Sequence, residues 1–118
     1  MKYLCMIYDD ESKWEKMSKA ETDTWMGEYN AFTESIKKSG NYIGGEALQP
    51  TATATTVRVR NGKIASTDGP FVETKEQLGG YYLVEAKDLN EAIAIAARIP
   101  SARLGGIEVR PLIDWSKV

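Results

Sequence analysis

No histidine occurs among the 118 residues of the chain, and this absence excludes more chemistry than any other feature. Serine–histidine–aspartate and cysteine–histidine catalysis are removed, together with the commonest general base near neutral pH and nearly all zinc sites of mixed nitrogen and sulfur ligands. Acid–base work would fall to carboxylates, tyrosine, lysine or the substrate itself. The lone cysteine, Cys5, cannot close an internal disulfide, which fits a reducing, cytoplasmic compartment. Fifteen basic residues against seventeen acidic ones leave a net charge of −2, and no cluster of Lys or Arg forms a footprint for a phosphate backbone. No nucleic-acid partner is expected. The opening apolar stretch, Tyr3 to Tyr8, is far shorter than a membrane span, is followed by Asp9-Asp10-Glu11 and lacks a small-residue cleavage site. Neither a signal peptide nor a membrane anchor is expected, and no residue set suggests a metal or a cofactor.

With 42% hydrophobic and 27% charged residues, residues 1–118 read as one globular domain. Tyr3 to Tyr8 has no helical period and suits a central strand covered on both faces. Ser18-Lys19-Ala20-Glu21 matches a capping box, in which hydroxyl and carboxylate satisfy each other's orphan amides. A long helix should follow, with Trp25, Tyr29, Phe32 and Ile36 on one stripe and Gly40 at its end. Tyr42 and Ile43 begin a short strand toward Gly44-Gly45-Glu46. Thr55 to Arg60 and Lys63 to Ser66 flank Asn61-Gly62, the preferred type I′ hairpin turn, and this hairpin reads as an insertion on the main sheet with one face that is wet or pairs its arginines with acids. Thr67 to Phe71 is turn chemistry, and Thr74-Lys75-Glu76-Gln77 predicts a single helical turn closed by Gly79-Gly80. Tyr81 to Ala86 is a further central strand. Asp88 caps a second long helix with Leu89, Ala92, Ile93, Ala96 and Ile99 as its apolar stripe, and Ile107 to Leu112 closes the chain as a strand.

The order is α+β: a ferredoxin-like, split βαβ sandwich with an inserted β-hairpin. Both helices cover one sheet face, so the other is bare. The first strand offers Tyr3, Cys5 and Ile7 on one side and Leu4, Met6 and Tyr8 on the other, and Tyr81-Tyr82-Leu83-Val84 is apolar on both sides too, so apolar residues of either strand would meet water on the bare face. At about 25 cal/mol per Å² such a face is an aggregation liability, and a homodimer closed through it is the simplest remedy.

The segments Gly45-Glu46-Ala47-Leu48-Gln49-Pro50, Thr53 to Arg58, Thr67-Asp68-Gly69-Pro70-Phe71 through Gly79-Gly80-Tyr81-Tyr82, and Glu108-Val109-Arg110-Pro111 closely resemble the DGPF-domain proteins of the YCII-related family, over almost the whole chain. The resemblance implies a bacterial cytoplasmic protein of the dimeric α/β barrel type. Some members carry a histidine in the first helix paired with an acid in a cleft, a few relatives act on small chlorinated aromatic lactones, and members often occur beside alternative sigma-factor systems. Tyr29 stands at or near the histidine's place here.

Asp68, Glu46 and Tyr29 are the candidate catalytic residues. Asp68 sits on a turn stiffened by Gly69 and Pro70, where it either faces a ligand or bonds its own backbone in an Asx turn. Glu46 and Glu73 lie beside glycine or turn residues; converging carboxylates would push their pKa values apart, or they could pair with Arg58 and Arg110. Trp25, Arg58, Phe71, Glu73 and Lys75 are the candidate ligand contacts. Lys75 and the amides after Thr74 would open a short helix suited to an anion, while Trp25 and Tyr29 either floor an aromatic pocket or belong to the core. Cys5 reads as an inert core thiol. Two functions follow: a dimeric ligand-binding or regulatory module with a small-molecule cleft, and a cofactor-free enzyme acting on a carbonyl or lactone-like substrate.

Overall fold

The computed structural model describes residues 1–118 and shows an α+β chain with two antiparallel sheets and three helices. The main sheet has four strands in the order β2-β5-β1-β6: β1 is Lys2–Asp9, β2 Tyr42–Ala47, β5 Gln77–Glu85 and β6 Gly106–Pro111. Helix α2 (Lys19–Lys38) and helix α3 (Leu89–Ala97) link its halves, and a four-residue helix α1 (Ser12–Glu15) precedes them. No helix is long and apolar enough to cross a membrane.

Side chains of β1 alternate in burial. Tyr3, Cys5, Ile7 and Asp9 are buried, whereas Leu4, Met6 and Tyr8 are half-buried. The buried set joins Phe32 and Ile36 of α2, Tyr82 and Val84 of β5, and Ala92, Ile95, Ala96 and Ile99 in one core. Burial pushes the Cys5 thiol up from its ordinary 9.0 to about 11, so it is protonated and inert at neutral pH. The opposite face carries Leu4, Met6, Tyr8, Tyr81 and Leu83, because Leu4 pairs with Leu83 and Met6 with Tyr81 in the β1–β5 register. All five are half-buried, and α2 and α3 pack against the other face.

Local chemistry sets the helix ends. Ser18 Oγ accepts from the Glu21 amide and Glu21 Oε1 accepts from the Ser18 amide, both at 3.1 Å, which completes the capping box. Gly40 ends α2 at a φ of +79°, and Asp88 caps α3 by accepting from the Glu91 amide at 2.9 Å. The predicted α3 stripe is corrected in part. Ile95 is buried while Leu89 and Ile93 lie outward, half exposed; the nine-residue helix is rolled so that the line Ala92–Ile95–Ala96–Ile99 meets the sheet.

Two further expectations change. Thr74 to Gln77 forms no helical turn: Thr74 Oγ1 donates to the Glu76 carbonyl, Gln77 Nε2 donates to the Thr74 carbonyl, and the chain passes directly into β5. A side chain that bonds downstream backbone has offered the peptide an alternative to the helix. The hairpin, β3 (Thr55–Arg60) and β4 (Lys63–Asp68), forms its own two-stranded sheet and does not join the main one. Its turn is type I′ as expected, with Asn61 at φ 53° and Gly62 at 73°. Both of its faces are open to water.

Candidate functional site

Asp9 is the last of the inward-facing residues of β1 and is only 5% exposed. A carboxylate at a core position needs partners, since burying an uncompensated charge is expensive. Its Oδ1 accepts a hydrogen bond from Trp14 Nε1 of α1 at 3.0 Å. Trp14 meets Trp25 edge-on at a ring separation of 5.4 Å, and Trp25 meets Tyr29 at 5.9 Å. These three rings run from α1 along α2, and such edge-to-face pairs hold one another at defined angles.

The floor of this nest is set by the segment after α3. A 3-10 turn at Pro100–Arg103 buries Ser101, whose Oγ lies 2.5 Å from Tyr29 Oη. Gly105 then passes so close to the end of β1 that an added Cβ would stand 2.0 Å from the Tyr8 carbonyl oxygen and 2.8 Å from Asp9 Cα. Only glycine permits that approach. Burial, and secondarily the negative charge of Asp9, raise the Tyr29 phenol above its ordinary pKa, against the lowering effect of its bond to Ser101. Tyr29 therefore holds its proton at neutral pH, which suits a donor and not a base.

Two openings border the nest. A recess of about 110 Å³ is lined by Asp9, Asp10, Lys13, Trp14, Met17 and Leu104. On the outer side of α2 a shallower groove of about 340 Å³ includes Phe32, Pro100 and two arginines, Arg98 and Arg103. Arg103 is paired with Glu28 at 2.8 Å and lies 5.4 Å over the Trp25 ring; Arg98 lies 5.5 Å over Phe32 and donates to Ser35. The first opening is more enclosed and more apolar. Its size suits a ring-sized fragment, since drug-sized ligands occupy roughly 300–1,000 Å³. The buried indole N–H of Trp25 has no acceptor, and an unmade bond of this kind costs about 1–3 kcal/mol.

The eight residues singled out in the sequence fall into two groups and three isolated positions. Trp25 and Tyr29 meet in the nest, with Trp25 buried and Tyr29 half-buried. Arg58 and Phe71 meet at the hairpin, the guanidinium 4.7 Å above the ring, and Asp68 lies at the hairpin's base opposite Thr55. Asp68 is exposed and forms no Asx turn: the Gly69 amide goes instead to the Ala54 carbonyl at 2.8 Å. Glu46 is exposed on β2 opposite Tyr81, hence on the uncovered sheet face, the side away from Tyr29. Glu73 and Lys75 stand in solvent, and without the helical turn the anion site expected at Lys75 loses its amides. Neither Arg58 nor Arg110 pairs with Glu46 or Glu73; Arg110 bonds Glu108 on its own strand.

Asp9, Trp14, Ser101 and Arg103 were not singled out by sequence reasoning. Asp9 had a legible signal, because Tyr3, Cys5 and Ile7 set a period of two that lands an acid on the buried face at the fourth step. Ser101 had none. One further link joins the nest to the hairpin: Glu11 accepts from the Thr51 amide at 3.0 Å and from the Thr51 hydroxyl, while its own amide donates to Gln77 Oε1 at 2.9 Å. The hairpin's root is thereby tied beside Asp9.

A family model described as the YCII-related domain matches residues 1–116. An uncharacterised protein of Rhizobium meliloti (strain 1021) is 38% identical over 114 residues, which covers 95% of this chain and 92% of that relative.

Proposed function

The chain belongs to the YCII-related domain family, and on that premise we propose that it is a homodimeric, cofactor-free binding protein for a small organic molecule seated in the recess beside Asp9. One observation carries the binding half: a carboxylate 5% exposed whose partner is an indole, at the wall of an open apolar recess. A carboxylate has about four lone-pair sites, so Asp9 retains capacity for a ligand's N–H or O–H. Trp14 and Met17 supply a flat, adaptable apolar wall for its body, and binding without turnover fits a regulatory module.

The strand order β2-β5-β1-β6, with α2 and α3 against the Tyr3–Cys5–Ile7 face, supports a ferredoxin-like reading with the hairpin as its insertion. Five half-buried apolar side chains on the other face, Leu4, Met6, Tyr8, Tyr81 and Leu83, support closure of that face by a second copy. The buried, unreactive Cys5 is compatible with a cytoplasmic setting.

The test is a panel of small aromatic amines and alcohols, screened by tryptophan fluorescence and ligand-observed NMR. Binders are expected, and Asp9→Asn should weaken them at least tenfold, about 1.4 kcal/mol. Binders indifferent to that change, or none in the panel, would remove the reading.

A second reading is a cofactor-free enzyme with Tyr29 as proton donor and Asp68 and Glu46 as its carboxylates. The Tyr29–Ser101 pair at 2.5 Å, a short polar contact in an aromatic nest, favours it. Glu46 lies on the far side of the sheet from Tyr29 within one chain, so the partner copy would have to bring it. Unchanged product formation in a Tyr29→Phe, Asp68→Asn, Glu46→Gln triple variant, on any substrate the protein converts, would end this reading.

A further inference from the structure

We infer that the β3–β4 hairpin is a clasping arm whose apolar face packs on a second copy of this chain, adding a second contact to the sheet-to-sheet interface. The inference deepens the homodimer reading and rests on it.

The hairpin is two-faced. Cross-strand pairs point the same way, so Val57 with Ser66, and Val59 with Ile64, share one face. Arg58 with Ala65, and Arg60 with Lys63, share the other. Thr55 and Asp68 lie on the first face too, at the hairpin's base, so its apolar part is the outer half, where Val57, Val59 and Ile64 are uncovered at 62%, 58% and 79% exposed. The basic face suits water and forms no ion pair within the chain. A two-stranded hairpin standing alone is marginal in water and gains independent stability by packing. A patterned apolar face on such an element is the pattern of a strand pair that meets a surface.

Area identifies how much surface is missing. The chain exposes 8346 Å², whereas a self-sufficient monomer of 13.1 kDa should expose about 6,400 Å². The excess of about 2,000 Å² is more than the roughly 800 Å² each partner gives a standard interface, and it falls within the range of obligate homodimers. The open sheet face supplies part of that surface: four strands of six to nine residues, about 4.8 Å apart, cover a flat footprint of roughly 450 Å², and the arm adds to it. The shape agrees. The radius of gyration is 16.4 Å, against about 13–14 Å for a compact domain of this length, and the molecule is a plate 48 × 48 × 19 Å.

A second copy is the occupant that answers both surfaces. Each chain carries one greasy sheet face and one greasy arm, and two-fold symmetry makes every such contact twice. The arm is held ready for it at its base, where the Gly69 amide bonds the Ala54 carbonyl, Thr56 Oγ1 bonds the Gly69 carbonyl at 2.9 Å and Glu11 grips Thr51.

The experiment is sedimentation equilibrium of the full chain over a dilution series, comparing wild type, a Val59→Asp/Ile64→Asp double variant, and Met6→Asp on the open sheet face. Val57→Lys serves as an independent arm variant, and circular dichroism confirms that each chain folds. The arm variants are expected to raise the dimer dissociation constant at least 100-fold with an unchanged spectrum. If Met6→Asp separates the dimer while folded arm variants stay within threefold of wild type, the arm inference is overturned and the homodimer reading stands. A wild-type chain that is monomeric throughout overturns both.

Discussion

Ile36 in the four-stranded body and Ile64 in the two-stranded arm are the same side chain in opposite settings, 0% and 79% exposed. Both regions form regular structure from local rules: α2 from its capping box, the arm from Asn61-Gly62 and alternating valines. Only the body converts that regularity into burial. Moving one such side chain out of water is worth roughly 1.5–3 kcal/mol. The difference teaches that local signals build an element, whereas its stability depends on what comes to lie against it.

Ways to break the comparison follow from its energetics. Ile36→Ala should cost the body about 2–5 kcal/mol, read from urea unfolding, because the core leaves little room to collapse. Gly105→Ala drives a methyl into the Tyr8 carbonyl and should cost about 3 kcal/mol; a loss under 1 kcal/mol would mean that the crossing at Asp9 is looser than described. Next comes Ser18→Ala, at about 1 kcal/mol through loss of the cap. In the arm, Gly62→Ala meets no steric obstacle but must hold φ at +73°, a cost of about 1–2 kcal/mol. That cost should appear as faster amide exchange across β3–β4, with the body's unfolding midpoint unmoved. Smallest of all, Ile64→Ala should change the stability of dissociated chains by less than about 0.5 kcal/mol.

Alkali sharpens the same contrast. Burial raises Cys5, Tyr29 and Tyr82 above their ordinary values of 9.0, 10.0 and 10.0, in each case as the largest cause. A group whose folded pKa is raised contributes stability that is complete below its unfolded value and is lost as pH rises through the folded one. For Cys5 that window runs from about 9 to about 11, with the two tyrosines adding loss above 10. The body should therefore lose stability as pH climbs past 9, and Tyr29→Phe should flatten the slope. All three groups lie in the body's core or at its edge, so arm variants should leave the slope alone.

Much of the fold, body and arm alike, was legible in the sequence because its signals are local or periodic. The Ser18–Glu21 box, the Trp25–Phe32–Ile36 stripe, Gly40, Asp88 and the Asn61-Gly62 turn each act within a few residues. The helical turn at Thr74 failed for a local reason too: the same side chains found backbone partners that lead into a strand. The α3 stripe was misplaced by one residue class because Leu89, Ile93 and Ile95 are equally apolar, and only the sheet decides which of them is covered. For the site, Trp25 and Tyr29 were read from their spacing, but their partners Trp14, Ser101 and Arg103 arrive from segments up to about eighty residues away in the chain. Long-range convergence leaves no mark in a single sequence. Asp9 was the exception, visible in the alternation of β1 as an acid where an apolar residue is due.

The mass of the protein in dilute solution tests the central claim most directly, because the uncovered sheet face and the projecting arm are both read as halves of an interface. Light scattering at micromolar concentration should return twice 13.1 kDa. A steady value of 13.1 kDa, from a folded chain with those surfaces in water, would contradict it.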